Sequence, residues 1–484
     1  MKRNKGITLI ALIITIIIML ILCATTITLV INSELFDTAK NAAQLTENSI
    51  QTEQEKIDDL LNSGLNDGAY IDNVLATPPS LSSGMIPVKY DSENNVWIKT
   101  TKKDQEWYNY EDKQWANMVL SNAEFDENGI LNETAPYSMF VWIPRYAYRI
   151  TSGWHSSSAG EIEIVFVDKN NEDKDGNIYD TTYAVATDGI VQGQGMTDYV
   201  VHPAFNFGDD TLDGFWVGKY ETSNTDCTIE EATGQYNDTD KTVQVKAGVT
   251  SWRGININNI YTVCTELNKS GNNYGLSSDD TIVDPHLIKN TEWGACAYLS
   301  KSEYGKQNRE VWVNNSSNYI TGSAGDSVNA DTDIGTTNDY KSTQGQEAST
   351  TGNTYGIYDM SGGAFEYVAA YVDNNNENLQ NGANLIDAPE KYSDIYIDGG
   401  GIANNYSNTS SRYGDAIYET SANSDSPYTS SWYNDYSYFP DTALPFIVRG
   451  GFYYAKENAG MFCFGYDIGI NYAYDGFRIV IPVL

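Results

Sequence analysis

The hydrophobic pattern is least ambiguous at the start of the chain. From Ile7 to Ile31 it reads ITLIALIITIIIMLILCATTITLVI, with no charge between Lys5 and Glu34. An apolar helix of that length spans a bilayer. Lys2, Arg3 and Lys5 precede it, so the short end is expected inside the cell and the remainder outside. A cleaved secretory signal would be shorter and would end on a small-x-small exit, which is absent. Residues 34–66 then predict an amphipathic stalk helix. Phe36, Ala43, Ile50 and Ile57 recur every seven residues, Ala39 and Leu60 share their side, and Gly64 supplies a stop.

Past the stalk the period changes. LATPPSLSSG (Leu75 to Gly84) is a linker, because Pro78-Pro79 and the serines forbid regular structure. Between Ile86 and Val119 short runs alternate in the strand manner, and Trp97, Trp107 and Trp115 are read as the core of a small β unit. From residue 136 onward the pattern is mixed. Strands are expected at 140–150, 161–168 and 214–221, and helices at 258–268 and 290–304. Long polar stretches, Asn314 to Thr354 and Asn404 to Tyr438, lie between elements and are rich in Ser, Asn, Gly and Tyr. Loops of that length in an ordered domain are usually functional or locally mobile. The expected organisation is a leader (1–6), a transmembrane helix (7–33), a stalk (34–66), a linker with a small β unit (67–135) and one α+β domain (136–484).

Composition narrows the function. The 484 residues hold 65 Asp+Glu against 29 Lys+Arg, a net charge of −36. Such a surface repels a phosphate backbone, so nucleic acid is excluded as a partner. His155, His202 and His286 lie far apart, and the five cysteines form no C-x-x-C pair. That leaves little material for imidazole or dithiol metal sites. Cys227, Cys264 and Cys296 are open to either reading, an extracellular disulfide or buried free thiols. Asn171, Asp173, Asp175 and Gly176 echo the start of a calcium loop. Thr182 stands where its bidentate Glu should be, so a solvated acidic turn is the better reading.

Three resemblances attach to particular motifs. K-G-I-T-L-I-A-L at the N-terminus resembles the type IV prepilin signal, which implies cleavage after Gly6 and a mature chain starting at Ile7. Ala11 stands where that family carries an assembly glutamate, which suits a minor or tip subunit, or a plain anchor, better than a bulk filament subunit. VWIPR (Val141 to Arg145), FWVGKYE (Phe215 to Glu221), SWRGI (Ser251 to Ile255), TEWGACAYL (Thr291 to Leu299) and YGIYDMSGGAFEYV (Tyr355 to Val368) come next. With VRGG (Val448 to Gly451) and GFRIV (Gly476 to Val480), they are similar to the formylglycine-generating enzyme/sulfatase-modifying family. That implies an elaborated C-type-lectin-like α+β fold. The family's copper thiolates would fall near Ala455 and Gly460, where no cysteine stands; Cys463 alone cannot supply a two-sulfur site. The family also implies calcium near Gly362 to Glu366. Glu366 is retained there, while Gly363 replaces the usual Asn.

The last block, RGGFYYAKENAGMFCFGYDIGINYAYDGFRIVIP, resembles the variable region of proteins targeted by diversity-generating retroelements. R-G-G (449–451), A-G-M-F (459–462) and G-F-R (476–478) match that group's constant frame, giving a variable segment at 449–478. The resemblance offers Phe452, Tyr454, Cys463, Gly465, Tyr466, Asp467, Ile468, Ile470, Asn471, Tyr472, Tyr474 and Asp475 as ligand contacts, with Tyr453 beside them. Every one of these residue types is reachable by adenine replacement in AAC or AAT codons, whereas Lys456, Glu457 and Met461 are not. Tyr supplies stiff amphipathic contact area, and Gly, Asn and Asp adapt the hydrogen bonding, as in a paratope.

The expected function is a non-enzymatic ligand-binding protein displayed on the cell membrane by a single span. Its partners would be the membrane itself and a protein or glycan on another cell or phage, with no cofactor beyond calcium at Glu366. The alternative is a minor pilin-like structural subunit, in contact with pilus-type assembly subunits, whose head is only a cap. An oxidase is opposed by the missing cysteine pair.

Overall fold

The structure is a computed structural model and describes residues 16–19, 74–228, 237–332, 337–397, 413–422, 428–440 and 443–484. The chain divides into two compact units, residues 1–70 and 71–484. Of the first, residues 16–19 are described and are α-helical. The leader, the stalk and most of the apolar run therefore lie outside the described residues. Among the described residues no helix is long and apolar enough to cross a membrane.

The second unit is mixed α+β, mostly sheet with few helices. Its strands are β1 (Met85–Asp91), β2 (Val96–Lys99), β3 (Asn117–Leu120), β4 (Met139–Pro144), β5 (Gly214–Gly218) and β6 (His286–Leu287). They continue with β7 (Phe365–Asp373), β8 (Asp394–Ile397), β9 (Tyr428–Ser430), β10 (Tyr436–Tyr438), β11 (Phe446–Gly450), β12 (Gly460–Asp467), β13 (Asp475–Phe477) and β14 (Ile479–Pro482). One seven-stranded sheet runs β6-β14-β5-β4-β3-β1-β2. The other runs β8-β7-β11-β12-β10-β9, with β13 also paired to β7.

The expected small β unit is not a separate body. β3 pairs with β4 (Val119 opposite Met139), so β1 to β3 extend the same sheet as the VWIP and FWVG strands. Trp107 and Trp115 belong to the main core, and Trp107 stacks on Trp216 with centroids 6.3 Å apart. Trp97 alone sits in a local cluster with Val88, Val119, Leu131, Tyr137 and Met139. The run EWYNY, read as a strand, forms turns; Asn109 and Gln114 close it with two backbone bonds of 2.8 Å.

The two helices that the 3.6-residue pattern marks are both present. α1 (Ile257–Thr265) turns Ile257, Ile260, Val263 and Cys264 inward, and the Asn256 side chain caps it by accepting from the Asn259 N–H at 2.8 Å. α2 (Asn290–Lys301) is buried along its whole length, which explains why NTEWGACAYLSK shows no polar face. Glu292 accepts the Lys289 N–H at 2.8 Å, closing its first turn. Gly294 is required there, because an added Cβ would lie 2.0 Å from the Gly414 carbonyl oxygen. The four described cysteines (Cys227, Cys264, Cys296, Cys463) are free thiols. Asp173, in the calcium-loop echo, is spent on its own turn, accepting from the Asp175 and Asn177 N–H groups at 2.9 Å.

Candidate functional site

The C-terminal block folds as a buried frame carrying two turns. Arg449 leaves β11 fully buried and donates from all three guanidinium nitrogens. Nε reaches the Cys463 carbonyl (3.0 Å), Nη1 the Asn290 side chain (2.7 Å) and the Asp415 carbonyl (2.8 Å), and Nη2 the Ala416 (3.1 Å) and Met461 (3.2 Å) carbonyls. One side chain thereby ties β11 to β12, α2 and the 415–416 turn. Burial pulls its pKa down to about 10, yet it stays charged at neutral pH.

The glycines of the frame are steric. Gly450 and Gly451 hold φ of 83° and 76°, where glycine is favoured, and there the strand breaks register and turns outward. A Cβ on Gly451 would meet Ala459 at 2.8 Å, and one on Gly460 would meet Asp435 Oδ2 at 2.0 Å. R-G-G and A-G-M-F therefore fit each other.

Arg478 closes the frame from the other end. Its Nε and Nη2 bind the two Glu366 oxygens at 3.0 and 2.5 Å, while Nη1 and Nη2 reach the Gly218 (2.7 Å) and Tyr358 (3.0 Å) carbonyls. Both residues are wholly buried. This corrects the calcium expectation: each Glu366 oxygen accepts from Arg478, so the carboxylate is consumed by an internal ion pair. Gly363, the departure from the family motif, has φ of 72° and an added Cβ would lie 2.3 Å from Glu221 Oε1. Glu221 in turn accepts the Ala364 N–H at 2.7 Å, and burial raises its pKa well above the carboxylate range. Among the described residues, no three Asp, Glu, His or Cys side chains are placed to hold a metal ion.

The turns between the frame motifs carry the aromatics. Phe452, Tyr453 and Tyr454 follow R-G-G; Ile468 to Tyr474 link β12 to β13. Phe452 bridges the two turns, its ring 5.9 Å from Tyr454 and 6.2 Å from Tyr474. Tyr472 and Tyr474 stack at 5.3 Å, 8° from parallel. Tyr454 is 62% exposed and Tyr474 40% exposed. Asn471 is exposed, and Ile468, Ile470 and Tyr472 are half-buried. The strand alternation that would have buried this stretch stops at Asp467, and Gly469, with φ of 84°, lies in the loop beyond it.

Two groups of candidates behave otherwise. Cys463, Gly465, Asp467 and Asp475 are buried and do not form part of the exposed face. Cys463 and Gly465 lie inside β12 between β11 and β10, where desolvation pushes the thiol pKa up. Asp467 and Asp475 point beneath the loop. Tyr466 joins a different aromatic group, packing on Tyr438 at 4.4 Å, with Tyr436 and Tyr428 beyond it.

Residues outside the segment complete the face. Tyr319 packs edge-on against Tyr453 at 4.9 Å, Phe365 lies 5.3 Å from Phe452, and the Arg253 guanidinium covers the Tyr319 ring at 3.5 Å. None was singled out from sequence. Tyr428, Tyr436 and Tyr438 lie in the Tyr-rich polar stretch, so composition did carry a signal for them.

No protein-family model and no curated protein sequence matches the chain. Among solved structures it is similar to Treponema denticola variable protein 1, at 11% identity over 71% of this chain and 95% of that one, with a TM-score of 0.26. It is also similar to the Major Tropism Determinant I1 variant, at 11% identity, 84% and 97% coverage and a TM-score of 0.26. The P3c variant of the same protein follows at 12% identity, 84% and 97% coverage and a TM-score of 0.24. Similarity at this level decides neither fold nor function, which rest on the chain's own residues.

Proposed function

We propose that the chain is a non-enzymatic ligand-binding protein whose C-type-lectin-like head is displayed outside the cell on a single N-terminal membrane span. Binding is assigned to the aromatic face formed by Phe452 to Tyr454 and Ile468 to Tyr474, with Tyr319 and Phe365 beside it. One observation carries this reading: the matched motifs R-G-G and G-F-R are locked in the interior by Arg449 and Arg478, while the two turns between them, Phe452 to Tyr454 and Ile468 to Tyr474, reach the surface as a connected aromatic group. Such a scaffold tolerates change on the face without losing the fold, as diversification by a retroelement requires. Rigid Tyr and Phe rings at an exposed turn also give contact area at low entropic cost. The ligand would be a protein or glycan of another cell or of a phage. The apolar run supports the anchor, and Lys5-Gly6 before it supports cleavage to leave Ile7 first, with the prepilin-like subunit as the alternative role.

Sequencing the locus in related isolates tests the face. Codon changes should concentrate at 452–454, 468, 470–472 and 474, beside a reverse transcriptase and a near-copy template differing at adenines. They should spare 449–451 and 476–478, and should be rarer at the buried positions 463, 465, 467 and 475. Variation spread evenly across frame and face would overturn the proposal.

A further inference from the structure

The 468–474 loop is fastened to the head at almost every residue. Asn381 Nδ2 donates to the Ile468 carbonyl (2.6 Å), the Ile257 N–H to Gly469 (3.2 Å), the Gly254 N–H to Tyr472 (3.0 Å) and the Phe365 N–H to Tyr474 (2.9 Å); Arg253 binds the Ala473 carbonyl. These bonds are indifferent to pH. The foot of the loop is built differently. Asp467 ends β12 and Asp475 begins β13, so the two carboxyl groups stand at the two feet of the loop, 8% and 1% exposed. Tyr367, on β7 and fully buried, places its hydroxyl against the Asp467 carboxylate and 2.9 Å from the Ile470 carbonyl. The Gly469 N–H also donates to Asp467, at 2.8 Å. Asp475 Oδ2 is buried and has no hydrogen-bond partner among the described residues.

Two ionised carboxylates at such a site would repel each other in a low dielectric, at a cost few folds meet without a cation or a proton. The other titratable groups here are tyrosines: Tyr367 from β7, Tyr472 and Tyr474 from the loop, and Tyr319 from across the face. Burial pushes Tyr319, Tyr367 and Tyr474 up, so these three stay neutral. Arg253, the base that touches the loop, covers the Tyr319 ring, and among the described residues neither aspartate forms an ion pair with a basic side chain, whereas Glu366 does. The contrast with Glu366, matched oxygen for nitrogen by Arg478, is direct.

We propose that Asp467, Asp475 and Tyr367 form a proton-holding clasp at the foot of the 468–474 loop, making the aromatic face pH-gated. The loop keeps its binding geometry while the carboxyl pair retains a proton, and loosens when the pair loses it. This rests on the assignment of binding to that face. The direction follows from linkage. Burial raises both carboxyl pKa values in the closed state, and the nearby Asp467 charge raises that of Asp475 further, whereas in the open loop they return toward the ordinary aspartate value. Opening therefore releases a proton and becomes easier as pH rises between those limits, by up to about tenfold per pH unit for one proton.

Amide hydrogen exchange on the full-length chain between pH 5 and pH 8.5, corrected for intrinsic exchange chemistry, reads this without any ligand. Opening of 468–474 should rise with pH by up to about tenfold per unit before levelling, while that of α2 should not. Asp475→Asn, which mimics the protonated acid, should hold the loop closed and remove the rise. A wild-type loop whose opening ignores pH, or an Asp475→Asn chain that keeps the rise, would overturn the clasp. The wild-type profile decides even if the variant does not fold. A pH-dependent loop on a face that shows no codon variation would retain the clasp and sink the binding assignment instead.

Discussion

Arg449 and Arg478 share a 30-residue stretch with Tyr454, Tyr472 and Tyr474, and the two sets of side chains have opposite fates. Each arginine finds four or five acceptors built for it, contributed by β5, β7, α2, β12 and the 415–416 turn. The tyrosines find mainly one another and other rings. A residue whose partners come from distant elements holds the fold. One whose partners lie in its own turns can change without disturbing it. The difference predicts which substitutions the head will notice.

The largest effect is expected from Arg478→Met. Removing one partner of a buried ion pair leaves an uncompensated charge, at a cost of about 3–5 kcal/mol. Urea denaturation should show that loss, and Glu366→Gln in the same chain should restore much of it. If the double variant is no better than the single, the pair is not what Arg478 contributes. Arg449→Met is expected to follow. Among the described residues it forms no ion pair with a carboxylate, so the cost is that of buried carbonyls left without a donor, about 1–3 kcal/mol for those that water cannot reach. Equal losses for the two arginines would blur the distinction between an ion pair and a carbonyl hub.

A third test uses pH. Asp415 and Glu419 lie behind Arg449, and desolvation pushes them up to about 8 and about 7. Tyr148 and Tyr298 donate to Glu419, and Tyr396 to Asp415 at 2.7 Å. Both acids bind protons more tightly folded than unfolded. Their contribution is complete below the ordinary carboxylate range and is lost as pH rises through 7 and 8, at up to about 1.4 kcal/mol per pH unit for each proton. The urea midpoint should therefore fall between pH 5 and pH 8, and Asp415→Asn should flatten the decline. A midpoint that rises over this interval would show that other groups dominate the linkage.

Much of the frame was legible in the sequence, and much of the face was not. β4, β5, α1 and α2 follow from apolar runs and periodicity, because burial is a property that a segment records in its own residues. The separate β unit was misread because strands β1 to β3 look the same whether they pair among themselves or with β4; pairing is a property of two segments. Glu366 was misassigned for a like reason, since nothing near it in sequence says that Arg478 will take both oxygens. Within 449–478 the resemblance named Cys463, Asp467 and Asp475 alongside Tyr472, yet the fold buries the three that stand on β12 and β13 and brings Tyr472 outward on the loop between them. Tyr319, Phe365 and Arg253 reach the face from three other parts of the chain, and no local pattern marks such convergence.

The smallest stability effect is expected where the binding effect should be greatest. In the chain carrying Tyr472→Ala and Tyr474→Ala, the rings removed are half-buried and 40% exposed, and each has the other as a stacking partner. Little apolar area returns to water, and an aromatic pair contributes about 0.5–1.5 kcal/mol beyond its area. The loop backbone keeps its bonds to Gly254, Phe365 and Asn381, since these use carbonyls rather than side chains. Stability should fall by about 1–2 kcal/mol, while binding to the native target disappears, because aromatic anchors dominate interfaces. Tyr466→Ala provides the control within the same segment. It strips a ring from Tyr438, so it should cost comparable stability, yet leave the face of 452–454 and 468–474 and its binding intact. If the double variant unfolds the head, the rings are core and the face is not a paratope. If Tyr466→Ala abolishes binding while the double variant does not, the ligand sits on the Tyr428, Tyr436, Tyr438 and Tyr466 group rather than on the 452–454 and 468–474 turns.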